Sequence, residues 1–575
     1  MASSPTLFQT NAPNQRKTGL ADWIVLLTLA VLIFAGLSLA TYASSQPAVT
    51  EKILLSPKAL PVYTLYSLVR MFAAYILALL FTIVYGRVAA YNRRAERVML
   101  PLLDVLQSVP ILSFLPVVLV SLNAFMPQRL AAEIASIVLI FTSQAWNMTF
   151  GWYQSLTTLP KELQEASSIF RLNTWMRFRT LELPFATIPL IWNSMMSWAG
   201  GWFFLMAAEI FTVGQESFRL PGLGAYLQTA AFNGDHQALA WGLATLIFII
   251  IIMDQWIWRP LLTWADRFKV EMVESDNPPT SWFYDQWHNA RVIGWFKRKI
   301  AGPVMEKFEG WTVRRYPMSE PPHMREGKPS ASFYGLMFVG GGLLVYGAYH
   351  MSSALIKIPQ QEWITLLVGI GATLLRVFIA LILALLWTIP AGYAIGSNPR
   401  LAGWLQPVVQ VVASMPATAL FPVLVASLVM VYQGLNLAAI LLMLLGTQWY
   451  LLFNIIGGAS AIPQDLNYTA ALLGLNRWER WRTLILPALF PFIITGAITA
   501  TGGAWNASIV AEYIFYNGQT LHVTGIGAVI AGATAAGDYT LLFIATLSMI
   551  LTVVAINRLL WRRLYRVAET KYRME

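Results

Sequence analysis

The sequence predicts an all-α integral membrane protein of about twelve transmembrane helices, arranged as two parallel six-helix repeats. Three observations carry that expectation. Of 575 residues, 57% are hydrophobic and 12% charged, whereas a soluble domain carries about 25% charged residues. Apolar runs of spanning length recur along the whole chain. Landmark residues of the first half also return in the second. Trp146, Pro160, Pro184 and Glu209 recur 303 residues later as Trp449, Pro463, Pro487 and Glu512. Gly222-Leu223-Gly224 returns as Gly525-Ile526-Gly527, and Gly234-Asp235 as Gly537-Asp538. Nearer the front the offset is 306, taking Arg70, Gly86 and Asn92 to Arg376, Gly392 and Asn398. Pro101, Pro110 and Pro116 follow to Pro407, Pro416 and Pro422.

The elements follow in order. Residues 1–20 read as a polar cytosolic tail. The apolar run from Ala21 to Tyr42 is too long for a signal peptide's core and reads as a first span. Further spans are expected near 63–90, 101–122, 131–150, 185–212 and 238–258, completing a first repeat at 21–259. A second repeat, 333–562, gives 333–350, 363–395, 402–432, 436–456, 488–515 and 539–560. An even number of spans brings both repeats in from the same side, so the duplication is parallel. A parallel membrane duplication is pseudo-two-fold and points to a pathway on its axis, hence to transport.

Orientation follows from the basic residues. Arg93, Arg94 and Arg97, then Lys161, Arg171, Arg177 and Arg179, then Arg477, Arg480 and Arg482, fall in loops on one side. The tail 563–575 and its neighbours Arg562, Arg563 and Arg566 join them, which predicts cytosolic N- and C-termini in a bacterial inner membrane. The net charge of +11 is thereby read as positive-inside bias and not as a nucleic-acid surface. Residues 260–332 form a basic linker in which Trp282, Trp287, Trp295 and Trp311 alternate with Arg291, Lys297, Arg298 and Lys299. That mixture suits contact with lipid headgroups or a partner's surface, or simply a cytosolic tether.

Several chemistries are excluded. There is no cysteine, so no disulfide, thiol catalyst or thiolate metal site. The five histidines lack ligand spacing, and no metal site is expected. No Gly-x-x-x-x-Gly-Lys-Ser/Thr phosphate loop is present, so the chain is expected to bind no nucleotide or other cofactor itself, and to catalyse nothing.

The long cytosolic loops are the most patterned part. One begins Pro160-Lys-Glu162 and continues through Glu165-Ala166-Ser167 and Arg171 to Leu183-Pro184. Its twin begins Pro463-Gln-Asp465 and continues through Tyr468-Thr469-Ala470 and Gly474 to Leu486-Pro487. Proline followed by an acid suits a helix start, and the small residues give the helix a low profile for pressing into another protein.

These loops resemble the Glu-Ala-Ala, Gly, Ile-x-Leu-Pro signature of ABC importer permeases. Arg171 replaces the glycine in the first copy, and Tyr468 the glutamate in the second. Ala208-Glu209 with Gly222-Leu223-Gly224, and their repeats, resemble the nitrate/sulfonate/taurine-type permeases, in a duplicated, fused form. The resemblance implies ATP-driven import of a small oxyanion. Cytosolic ATPase subunits, which carry the ATP and magnesium, would dock on both loops, and an extracytoplasmic binding protein would deliver the substrate. The mismatch of Glu165 with Tyr468 reads either as unequal ATPase contacts or as drift. The alternative class is a twelve-span gradient-driven secondary transporter, which does not need such loops.

Pathway candidates come from polar residues inside spans, which are costly there. Arg70 and Arg376 either converge as an anion site or pair with Glu209 and Glu512, which themselves read as partners or as an outer gate. The matched prolines kink the third spans, making Gln107, Ser108, Gln410 and Ser414 candidates to line the path. Trp146, Asn147, Trp202, Trp505 and Asn506 complete the set, with Trp449 as a further tryptophan. Asp254 reads as structural.

Overall fold

The computed structural model describes residues 52–108, 111, 115–213, 216–268, 281–289, 302–315, 359–413, 415–460, 472–516 and 519–571, with isolated residues between them. The expected spans 21–42 and 333–350 lie outside this set, as do the tails 1–20 and 572–575. Among the described residues, seven helices are long and apolar enough to cross a membrane, or eight if one bent pair counts once.

Contacts divide the chain into two units. The larger contains Thr41–Pro160, Pro189–Asp254 and Pro322–Glu575, and so most of both repeats. Its paired scaffolds are Leu60–Tyr91 against Gln128–Thr157, and Gln360–Gly396 against Gly434–Ser460. Between apolar helices in lipid there is little hydrophobic drive, so close packing of small residues must hold them together. Ala74, Ala78 and Ala89 on one helix and Ala131, Ala135 and Ala145 on the other are nearly or wholly buried. A Cβ added to Gly86 would lie 2.6 Å from Trp152, and one on Gly392 would lie 2.7 Å from Ile455. The duplicated glycine is therefore a point of helix contact. Leu486–Ala511 closes the second scaffold through Leu489, Ala497 and Ala500, packed with Leu451 and Ile455. The repeats also interlock: Tyr539–Ile556 packs on Arg93–Ser108, and His236–Met253 on Pro399–Ala413.

The third spans differ from the expected 101–122 and 402–432. Each is two helices, Arg93–Ser108 with Leu115–Asn123, and Pro399–Ala413 with Ala417–Leu428. The second pair is bent by 77°. Pro416 stands at the break with an extended ψ of 122° and cannot donate to the turn before it.

The fifth spans end earlier than 212 and 515. Leu183–Glu209 and Leu486–Ala511 give way to two-stranded antiparallel hairpins, Ile210–Val213 with Glu216–Arg219 and Tyr513–Tyr516 with Gln519–His522. Short helices Leu223–Phe232 and Ile526–Ala536 follow. Gly234 and Gly537 then take φ of 67° and 71°, a left-handed conformation suited to glycine. Asp235 and Asp538 accept from the amides of Ala238 and Leu541, capping the last long helices. The repeated Gly-Asp is a helix stop followed by a helix start.

The smaller unit includes Lys161–Ile188 and Gln255–Pro321, the first long patterned loop together with the linker. The linker is partly helical. The preceding helix runs on to Phe268, and Trp282–Asn289 and Gly302–Arg315 follow.

Candidate functional site

Two buried ion-pair clusters sit at matched positions. Arg70 is fully buried on Leu60–Tyr91. Its Nε and Nη2 donate to the two oxygens of Glu133, each at 2.7 Å, a bidentate fork. Its Nη1 donates to Glu209 Oε1 at 2.8 Å and to the Pro221 carbonyl at 2.9 Å. Glu209 also accepts from Ser67 Oγ at 2.6 Å and from the amides of Gly224 and Ala225 at 2.7 and 3.2 Å. Gly222 is obligatory by space, because a Cβ there would fall on the Glu209 carboxylate.

The second cluster repeats the plan with one change. Arg376 donates to Glu512 at 2.7 Å and to the Thr524 carbonyl at 2.7 Å. Thr373 takes the part of Ser67, donating to Glu512 and accepting from Ile526 N. Where the first cluster has Glu133, the second has Asn436, whose Oδ1 accepts from both Nε and Nη2 of Arg376. The first cluster holds two carboxylates per guanidinium and the second holds one. Both arginines are thus engaged by protein, each tying the two ends of a hairpin to the long scaffold helix.

A separate cavity of about 120 Å³ is lined by both repeats. Ser143, Trp146 and Asn147 of Gln128–Thr157 face it, with their counterparts Gly446, Trp449 and Tyr450 of Gly434–Ser460. Phe203 lines it from one fifth helix and its counterpart Asn506 from the other. Gln107 adds an amide, and Ile111 N donates to Asn506 Oδ1 at 2.8 Å, closing the broken third helix over the space. Among the described residues, no Asp, Glu, Lys, Arg or His lines it. Indole, amide and phenol groups make it polar without fixed charge, with room for only a few heavy atoms.

Of the expected pathway residues, Gln107, Trp146, Asn147 and Asn506 meet at this cavity. Trp202 and Trp505 are buried at 0% and 1% in the scaffold. Gln410 Nε2 contacts Met195 Sδ at 3.8 Å. Arg70, Arg376, Glu209 and Glu512 belong to the clusters. Ser414 and the side chain of Ser108 lie outside the description. Asp254 is buried. No metal-binding group of acids or histidines occurs among the described residues.

The two long patterned loops have their own geometry. After the exposed Pro160, the helix Lys161–Ile169 exposes Glu162 and Glu165, half-buries Ala166 and buries Ser167. It ends on Arg171, at φ 50°, and Leu172 N reaches back to the Ser167 carbonyl at 3.1 Å. In the second loop Gly474 takes φ 64° and Leu475 N bonds the Ala470 carbonyl at 3.2 Å. Both are left-handed helix caps, so the glycine position is a conformational requirement that Arg171 meets under strain. Asn173 and Asn476 then cap the next helices. Ala470 is buried like its counterpart Ser167, and Thr469 is exposed. Pro184 and Pro487 stand at the start of the fifth helices, whereas Pro463, Asp465 and Tyr468 lie outside the description. At the helix tips two apolar pairs are bare: Ile169 and Phe170 at 78% and 75%, and their counterparts Leu472 and Leu473 at 88% and 69%.

Duplicated spanning helices around a shared, uncharged cavity define a membrane permease. Residues 78–255 and 384–573 each match the family of binding-protein-dependent transport system inner membrane components, and the chain belongs to that family. It is 32% identical over 173 residues to the nitrate import permease protein NrtB of Synechococcus elongatus, covering 29% of this chain and 58% of that one. The bicarbonate transport system permease protein CmpB of Synechococcus elongatus is 30% identical over 156 residues, 27% of this chain and 53% of that one. The taurine transport system permease protein TauC of Escherichia coli K12 is 29% identical over 204 residues, 35% of this chain and 70% of that one. The chain spans about half the length of the nitrate and bicarbonate relatives it matches.

Proposed function

We propose that this chain is a pair of permease halves of an ATP-driven importer for a small oxyanion, fused into one polypeptide. The observation that carries the reading is the cavity shared by both repeats. An uncharged lining of N–H and O–H donors can hold a small anion weakly, as passage requires. A fixed cation in the same space would trap it. The relatives are named for nitrate, bicarbonate and taurine, each small enough for such a space.

The two bare apolar tips are the ATPase contacts in this reading. Exposed pairs such as Ile169-Phe170 and Leu472-Leu473 are costly to leave in water unless a partner covers them. The excess of basic residues in these loops supports a cytosolic side for both tips and both termini. ATP bound between two such subunits would draw the tips together and rock the repeats about the cavity. The Arg70 and Arg376 clusters hold the outer hairpins rigid, where an extracytoplasmic binding protein would deliver substrate. A gradient-driven carrier has no use for matched apolar tips.

The test is purification of the tagged chain from its native membrane in mild detergent, with assay for ATPase activity. ATPase subunits should co-purify with the wild type, and be lost when Phe170→Asp and Leu473→Asp are combined. A chain that purifies alone, without ATPase activity, would refute the proposal.

A further inference from the structure

The linker and the first cytosolic loop form one unit, and the contact between them is specific. Helix Gly302–Arg315 brings Phe308 and Glu309 to the face of Thr312, which lies four and three residues further on. Phe308 stands edge-on to Trp175, with ring centroids 5.1 Å apart at 85°. The Glu309 carboxylate is ion-paired with the Arg179 guanidinium. Thr312 is buried. The other end of the linker is fixed within the same unit, where the buried Phe283 stacks on Trp256 at 5.6 Å.

The second loop offers an internal control. The counterparts of Trp175 and Arg179 are Trp478 and Arg482. Trp478 is 75% exposed and Arg482 is exposed. The first loop also contains a buried ion pair, Arg177 Nε to Glu182 Oε1 at 3.3 Å. The second has Arg480 and Ile485 at those positions, so the acid is missing.

Resting on the ATPase-docking reading above, we propose that helix Gly302–Arg315 is a clasp on the first cytosolic loop that makes the two ATPase contacts mechanically unequal. The first loop is held by the chain itself. The second has Trp478 and Arg482 exposed at the matching positions. Fusion of the halves thereby does more than join them, because the joining segment marks one side.

The chain has no cysteine, so paired cysteines report contact without background. In the full assembly, Trp175→Cys with Phe308→Cys should cross-link with a short bifunctional maleimide, whereas Trp478→Cys with Phe308→Cys should not. Glu309→Arg should change the ATPase rate of the assembly by roughly threefold, within the range of a partly exposed ion pair. The exchange Arg179→Glu with Glu309→Arg should restore it, and Arg482→Glu with Glu309→Arg should not. Equal cross-linking of both pairs, or of neither, would overturn the clasp. An unchanged ATPase rate in Glu309→Arg would overturn the unequal coupling. A chain that cross-links at 175 and 308 but carries no ATPase would instead refute the importer reading and leave the clasp standing.

Discussion

Replacing Arg70 with alanine should be among the most damaging single changes in the chain. It would strand Glu133 and Glu209, 3% and 0% exposed, with no cation between them. It would also remove the four hydrogen bonds that join Leu60–Tyr91 to Gln128–Thr157, to Glu209 and to Pro221. Removing one partner of a buried ion pair costs about 3–5 kcal/mol, a factor of roughly 10² to 10⁴ in the folded population. Arg376→Ala strands only Glu512, since Asn436 is neutral, and should cost about 1–2 kcal/mol less. Adding Glu133→Gln to Arg70→Ala removes one stranded charge and should recover a similar amount. Thermal unfolding in detergent, followed by loss of the monodisperse peak, ranks the three variants against the wild type. Arg70→Ala melting with the wild type, or Arg376→Ala melting first, would refute the charge accounting.

Three further outcomes are expected. Gly222→Ala and Gly525→Ala should each destabilise by about 1–3 kcal/mol in the same melting assay, because a methyl at either position meets a buried carboxylate. Arg171→Gly should stabilise the first loop by about 1 kcal/mol, and Gly474→Ala should weaken the second by as much. Hydrogen exchange at Leu172 and Leu475, whose amides close the two caps, reports both. Asn506→Asp puts a negative charge in the cavity and should cut oxyanion uptake by about tenfold or more while ATPase subunits still co-purify. Normal uptake would remove the cavity from the pathway.

Much of this was legible in the sequence because the chain is written twice. Arg70 with Arg376 and Glu209 with Glu512 stand out as repeated charges in apolar spans, and the structure joins Arg70 to Glu209 and Arg376 to Glu512. Glu133 escaped the comparison because its counterpart is Asn436; only its cost inside a span could have flagged it. Ser67 and Thr373 escaped because a hydroxyl on a helix is unremarkable until its partner is known. The hairpins were read as the ends of spans, since Ile210–Val213 and Tyr513–Tyr516 are as apolar as the helices before them. The Asn517-Gly518 dipeptide was the available signal for a tight turn there. The unequal dressing of the two loops was not readable, because the contact of Phe308 with Trp175 joins residues far apart in sequence.

The central claim is tested most directly by uptake into proteoliposomes containing the chain with its ATPase subunits and, outside, its binding protein. The account predicts that nitrate or another small oxyanion accumulates only with ATP on the side of the cytosolic loops, and that an ion gradient alone drives nothing. Accumulation on a gradient without ATP would contradict it and make the chain a secondary carrier.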